Sequence, residues 1–454
     1  MNSKDSAVKI DMLSGGMLKK ILVFSFPLIL SGVLQQSFNA IDVAVVGRFS
    51  SSKALAAVGG TGVIINILIN LFIGISIGAN VVIANYIGRN NDRGIRRSTA
   101  TAMAVALLSG VGLTLVGIAL SRPILEWMDT PADIIDLSAL YLEIFFLGMP
   151  FMMVYNFGAA VMRSMGDTRR PFYALVYGGI VNTVLNLLLV IGLGMSVDGV
   201  AIATVVANVV NAAFVVRWML REPDPYRLEV RKIRFHRHEL RKMLQIGVPA
   251  GLQGMVFSVA NIFIQTAING YGAEAIAGSA AALNYEVYCY FIVSAFVQAC
   301  VAFVSQNYGA GQLDRCRRAM RICMALSVVS CGVANVVIYC FGDFFLSLFS
   351  TDPEVIRYGM VRLEIVLLLQ WMASSYEVAG GALRGLGYSM LPTLLTVLGT
   401  CVVRLIWVYT VNVHYHRFDL LLWIYPISWV LTGASVLIAY RIVARRLRRQ
   451  QNIT

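Results

Sequence analysis

Residues 86–98 read YIGRNNDRGIRRS, and residues 307–319 read NYGAGQLDRCRRA. Each string sits between long apolar runs, and each carries a glycine, then an aspartate, then clustered arginines. A second pair, VMRSMGDTRRP at 161–171 and ALRGLGYSMLP at 382–392, keeps nearly the same separation. Pro27/Pro249, Asp92/Asp314 and Pro131/Pro353 lie 222 positions apart; Gly88/Gly309, Glu143/Glu364, Arg163/Arg384 and Pro171/Pro392 lie 221 apart. Anchors in order at a nearly constant separation mean that one structural unit occurs twice.

Composition says what surrounds that unit. Of the 454 residues, 58% are hydrophobic and 13% charged, with a mean hydropathy of +0.73. Soluble domains carry about 25% charged residues, so the chain reads as an all-α integral membrane protein. Apolar runs fall near 21–46, 55–84, 97–120, 137–160, 172–193, 198–219, 244–269, 276–305, 320–341, 358–382, 392–412 and 420–441. A bilayer needs about 20 residues per helical span, giving about twelve transmembrane helices. The polar start, MNSKDSAVKIDMLSGG, does not read as a cleavable signal.

The net charge of +13 does not point to nucleic acid, because the basic residues sit in short clusters between apolar runs. Arg89–Arg97, Arg163–Arg170, Arg217–Lys242, Arg315–Arg321 and Arg441–Arg449 form one set of loops. Glu126–Asp136, Asp198, Glu274 and Asp343–Glu354 mark the alternate set. The positive-inside rule puts the basic set and both termini in the cytoplasm of a multi-pass protein of the cytoplasmic (inner) membrane. Each half then has an even number of spans. The expected architecture is two repeated six-helix lobes related by an axis along the membrane normal, with a central cavity. The expected bounds are 1–219 for the N-terminal lobe, 220–242 for a cytoplasmic linker and 243–454 for the C-terminal lobe.

Asp42, in FNAIDVAVVGR (38–48), lies within the first apolar run. A carboxylate at that depth is costly and is read as functional by default. Gln35 and Asn39 share its helix face, so the run carries one polar seam. The plain alternative is an aspartate near a helix end that reaches the headgroups. The repeat partner of Asp42, 222 positions on, is Ile264. Scaffold is duplicated and the ionisable site is not, which places ion handling in the N-terminal lobe. Asn182 and Asn186 form an i,i+4 pair in the fifth run, and Thr204 and Asn208 another in the sixth. Their oxygens can complete a cation site or bond a protonated carboxyl, or simply join helices.

In the C-terminal half, Glu286 and Glu377 are candidates for a substrate cavity or for structural pairing. Tyr285 and other aromatics there suit flat cations, though packing and interface belts are the commoner use. All seven cysteines, from Cys289 to Cys401, lie in the second half without a C-x-x-C pair. They read as small buried hydrophobes. Neither His236/His238 nor His414/His416 has acidic or cysteine neighbours at ligand spacing, so no metal site is expected. No Walker A motif, zinc-protease motif or nucleotide-binding glycine fingerprint occurs. An enzyme is therefore not expected, and no cofactor beyond a coupling ion.

At this point the chain resembles the multidrug and toxic compound extrusion (MATE) transporters. The resemblance rests on FNAIDVAVVGRF with ALAAVGG, FVSQNYGAGQLDR, MRSMGDTRRP, ALRGLGYSMLP and GVAIATV, which run in order through both halves. It implies efflux of small organic, often cationic, compounds by antiport with H+ or Na+. Asp42 matches the family's first-helix aspartate, Asn182 its fifth-helix asparagine and Thr204 its sixth-helix threonine. Asn186 departs, since many relatives carry an aspartate there. One carboxylate among neutral oxygens favours protons over Na+. The expected ion-coupling set is Asp42, Asn39, Asn182, Asn186 and Thr204; the expected cavity set is Gln35, Glu286, Glu377 and Tyr285. The partners expected are the lipid bilayer and small organic molecules, with the chain acting as a monomer. A lipid-linked oligosaccharide flippase is the alternative; it favours a strongly cationic cavity. An integral-membrane enzyme is the more distant one.

Overall fold

The computed structural model describes residues 9–451. Every regular element among them is helical. Hydrocarbon offers no partner to a backbone N–H or C=O, so each span must satisfy its own. The first half holds α1 (Met17–Phe49), α2 (Ser52–Gly88), α3 (Asp92–Trp127), α4 (Ile135–Leu147), α5 (Met149–Ser164), α6 (Arg169–Asn186) and α7 (Val197–Leu220). The second half begins with α8 (Arg237–Asn269), α9 (Ala273–Gly309) and α10 (Leu313–Cys340). It continues through α11 (Gly342–Ser347), α12 (Pro353–Arg362), α13 (Ser374–Gly385), α14 (Met390–Thr396), α15 (Val403–Trp407), α16 (Val413–Tyr415), α17 (Phe418–Leu422) and α18 (Ile424–Gln451). Side chains that favour helix starts stand where the helices begin. The Ser51 hydroxyl accepts from Ala54 N at 3.1 Å, and Asn91 Oδ1 accepts from Gly94 N at 2.9 Å.

Among the described residues, 10 helices are long and apolar enough to cross a membrane unbroken, and α4 with α5, bent by 47° at Gly148, makes an eleventh. The run expected at 358–382 is not one helix. It passes from α12 through a π turn (Leu363–Leu367) and a 3-10 turn (Gln370–Ala373) into α13.

These breaks repeat. Gly148, between α4 and α5, and Leu369, which leads into the 3-10 turn before α13, stand 221 apart. A π turn opens at Leu187 after α6, and another at Val408, again 221 on. Two tight turns repeat as well: Asn90 (φ 51°) pairs with Gly311 (φ 75°), and Gly166 (φ 89°) with Gly387 (φ 91°). Positive φ is available cheaply to Gly and, among other residues, best to Asn and Asp. The duplicated strings therefore encode duplicated backbone irregularities.

The chain divides into two units, one of Leu30–Val248 with the described residues up to Asp11, the other of Met12–Ile29 with Pro249 onward. The divisions inside α1 and α8 fall close to Pro27 and at Pro249, where proline removes a helix hydrogen bond. In the first unit α6 packs on α7, and α3 and α7 on α5. The segment after α7 folds back on this unit: Leu228 N donates to Met219 O at 3.0 Å, and Arg96 pairs with Asp224 at 2.9 Å. In the second unit α9 meets α10, α12 and α13, and α13 meets α18. Cys289, Val293, Cys331, Leu363 and Leu367 are part of its buried core. All seven cysteines are free thiols; Cys340 is exposed and the other six are buried.

The start of α8 lies against α2 with backbone touching backbone. A Cβ at Gly247 would fall 2.4 Å from Ile75 Cα and 2.9 Å from Gly74 O. At Gly60 of α2 a Cβ would meet nothing within 4 Å. Gly247→Ala should therefore destabilise the protein by about 1–3 kcal/mol through overpacking. Gly60→Ala should be neutral or stabilising, by up to about 1 kcal/mol. Thermal unfolding of the purified variants in detergent checks this; equal melting points would refute the contact.

Candidate ion-coupling site

Asp42 lies in the second half of α1, where seventeen helical positions of Leu30 to Val46 hold it among apolar neighbours and inside the first unit. Its two carboxylate oxygens meet neutral partners. The Asn186 amide donates to Oδ1. The Thr204 hydroxyl stands 3.5 Å from Oδ2. Behind this pair, Asn186 Nδ2 also donates to Asn182 Oδ1 at 3.3 Å, and Asn182 Nδ2 donates to Thr204 Oγ1 at 3.4 Å. Asn182 and Asn186 are buried, while Asp42 and Thr204 are partly so. Among the described residues, no arginine or lysine bonds to Asp42.

Three helices make this cluster: α1 brings the carboxylate, α6 the two amides and α7 the hydroxyl. Glycine lets α1 come close, since a Cβ at Gly179 of α6 would fall within 1.9 Å of the Phe38 ring. Asn186 is the last residue of α6, directly before the π turn Leu187–Gly192. The wider turn changes the register of the helix just past the residue that meets Asp42. Asn186 Oδ1 is buried with no hydrogen-bond partner, so the cluster holds an unused acceptor next to the carboxylate.

The hydrogens of Thr204 are informative. Its one hydroxyl proton has two oxygens in reach, Val200 O at 3.0 Å and Asp42 Oδ2 at 3.5 Å. Geometry favours the shorter bond. Thr204 Oγ1 then turns a lone pair towards Asp42, which suits a carboxyl that itself carries the proton.

Gln35 and Asn39 stand on the same α1 face but are exposed, and neither bonds to Asp42. The repeat partners of the cluster are apolar or aromatic: Ile264 for Asp42, and Trp407, 221 on, for Asn186.

The second unit holds a different polar core. Arg362 grips Glu286 through both oxygens, at 2.6 and 3.0 Å, and Gln370 Nε2 donates to Glu286 O at 2.9 Å. Glu377 lies 3.5 Å from the Tyr290 hydroxyl. Arg384 donates to Gln253 Oε1 at 2.7 Å, with its Nε unpartnered. Arg404 donates to Ser428 and stacks 4.3 Å from the Tyr425 ring, which Arg362 also faces at 5.7 Å. All three arginines and both glutamates are buried. Tyr285 donates to Phe345 O at 2.8 Å. The sequence reading used Arg384 only as a repeat anchor and passed over Arg362 and Arg404; the signal present was that both lie inside apolar runs.

Comparison with known proteins adds to this geometry. The sequence profile of the MatE family matches twice, over residues 27–188 and 249–410, so both matches begin at the paired prolines. The probable multidrug resistance protein YoeA of Bacillus subtilis is 27% identical over 431 residues, 93% of this chain and 92% of that protein. A solved structure described as the outward-facing conformation of a multidrug resistance MATE family transporter superposes with a TM-score of 0.90 at 21% identity, covering 96% of this chain and 98% of that one. A MOP superfamily transporter from Pyrococcus furiosus, described as having a binding pocket of reversed polarity, does so at 0.89 and 22%, with the same coverage.

The Glu286–Arg362 pair invites a stability test. Arg362→Gln leaves a buried carboxylate without its cation and should cost about 3–5 kcal/mol. Adding Glu286→Gln removes the orphan charge and should restore most of that loss. Thermal unfolding in detergent reads both. A double variant no more stable than Arg362→Gln would show that the pair is not the source of the loss.

Proposed function

The chain belongs to the MatE family of membrane transporters, and from that premise we propose that it exports small organic compounds in exchange for protons, with Asp42 as the coupling carboxylate. It is a transporter and not an enzyme. The observation that carries the proposal is the neutral cage around Asp42. A charge in an apolar helix bundle is costly unless something balances it, and Asn182, Asn186 and Thr204 bring hydrogen bonds without bringing charge. Asp42 therefore binds a proton or a small cation whenever its surroundings exclude water, and gives it up when they admit water.

Several features support the proton over Na+. One carboxylate offers a single negative charge against the dehydration of Na+, and Asn186 contributes an amide where a second carboxylate would supply another. The lone pair that Thr204 turns towards Asp42 matches a protonated carboxyl. An ion that binds one state of the lobes better than the other shifts their equilibrium by its differential affinity. Loss of that difference uncouples transport. The basic loops support a multi-pass protein of the cytoplasmic membrane with both termini in the cytoplasm; that the chain acts as a monomer is part of the proposal.

Organic cations are the first substrate reading, from the family resemblance. A second reading has its own observation: the C-terminal unit buries Arg362, Arg384 and Arg404 against only Glu286 and Glu377. That balance favours a compound with an anionic group.

Substrate uptake into everted vesicles under separate proton and sodium gradients tests the coupling ion. Uptake should follow the pH gradient; uptake that survives its collapse and follows sodium alone would overturn the proton assignment. Paired cationic and anionic fluorescent dyes in the same vesicles separate the two substrate readings.

Asp42→Asn keeps the size and hydrogen-bonding shape but cannot titrate. This variant should insert in the membrane, bind substrate and fail to accumulate it, with active uptake reduced to about the passive level. Ile264→Asn, at the repeat position, should leave uptake largely intact. Normal accumulation by Asp42→Asn would remove Asp42 from the coupling step.

A further inference from the structure

The second unit carries a cavity of about 970 Å³ between the start of α10 and the end of α18. Its rim is formed by Arg317, Arg321, Arg441, Arg445, Arg448 and Arg449. Among the described residues, no acidic side chain lines it. One of the six is ion-paired, Arg448 to the exposed Asp314 at 3.3 Å, and Arg317 donates to Ala444 O at 3.1 Å. Deeper in, the walls turn apolar, with Met324, Ala325 and Val328 on α10 and Leu437 on α18. At about 1.5 Å per residue, the step from Arg317 to Val328 runs roughly 16 Å down the helix. The cavity is therefore cationic at one end and greasy at the other.

The internal repeat supplies a control. The equivalent place in the first unit, beside the start of α3, holds a cavity of about 320 Å³. It too is lined by arginines, among them Arg93, Arg96, Arg97 and Arg227. There the segment after α7 closes over it and brings Glu229 into the wall; Glu229 pairs with Lys232 at 2.7 Å, and Arg96 is held by Asp224. In the first unit the cations are partly balanced within the protein. In the second, among the described residues, Arg448 alone of the six has an acidic partner, and the cations converge above an apolar cleft.

We propose that the cleft between α10 and α18 is a binding site for an anionic phospholipid, with the arginine rim holding the phosphate headgroup and the apolar walls holding acyl chain. Guanidinium groups match phosphate oxygens in geometry as well as charge. Basic pockets between transmembrane helices are a recurring form of anionic-lipid site. A free phosphate would use the rim alone, whereas a lipid needs both ends. The site is separate from the Asp42 cluster, so it stands or falls independently of the coupling ion and the exported substrate.

The test uses the purified full chain in detergent, with phosphatidylglycerol, phosphatidylcholine and inorganic phosphate as probes. Bound lipid is counted by native mass spectrometry, and the shift in melting temperature is read in parallel. Phosphatidylglycerol should be retained and should raise the melting temperature, whereas phosphatidylcholine and inorganic phosphate should not. Arg321→Gln with Arg445→Gln should weaken phosphatidylglycerol retention by about tenfold or more. Ala325→Trp fills the apolar part without touching a charge, and it should weaken retention comparably. Arg93→Gln with Arg227→Gln removes the same charge from the first unit and should leave retention unchanged. Unfolding of the lipid-free variants confirms that each is folded; should Ala325→Trp fail to fold, Val328→Phe replaces it. Equal retention of the two lipids would overturn the proposal. So would a loss on arginine removal that filling the apolar part does not reproduce, since that is the signature of a free phosphate site.

Discussion

Everything in this chain answers to the cost of leaving polar groups unpaired in hydrocarbon. The backbone meets it by making every regular element among the described residues helical, and the breaks after α6 and α12 run into π turns that keep the backbone hydrogen-bonded. The same cost governs the side chains. Asp42 is surrounded by amide and hydroxyl groups, Glu286 is gripped by Arg362, and Arg404 rests on the Tyr425 ring and Ser428.

At Asp42 and at Glu286 the two units resolve that cost in opposite ways, although they share one backbone plan. The first leaves Asp42 among neutral partners, so the charge state of this group depends on what the solvent provides. The second pairs Glu286 with Arg362 and fixes that charge internally. A group with a fixed partner holds structure together, while a group with neutral partners responds to protons and cations. The duplication of breaks and turns, set against the non-duplication of Asp42, divides the chain into shared mechanics and private chemistry.

Helix approach sets where that private chemistry forms. Gly179 admits the Phe38 ring and brings α6 up to α1, and Gly247 admits α2. Between lipid-bathed helices there is little hydrophobic drive to associate, so small residues and interhelical hydrogen bonds decide which faces meet. The Asn182–Asn186 face is therefore both an adhesive surface and the lining of the Asp42 cluster.

The sequence by itself determined the repeat, the spans and the turns. These depend on local properties: run length, the charge of short loops, and residues such as Asn90, Gly166, Gly311 and Gly387 whose φ only a few side chains tolerate. It also marked Asp42, Asn182, Asn186 and Thr204 as polar groups in apolar helices. Only the tertiary structure decided which of them meet. Asn39, one turn from Asp42 on the same face, is exposed and makes no bond to it, while Asn186 and Thr204, 144 and 162 residues distant in the chain, come into contact. Nor did the sequence show that 353–385 breaks, or that Arg362 and Arg404 are buried. The periodicity of a helix gives the residues that share a face, but not the rotation of that face about the helix axis or the neighbour it finds. Both are fixed by packing between segments remote in sequence, where a few glycines and one hydrogen bond outweigh any local preference.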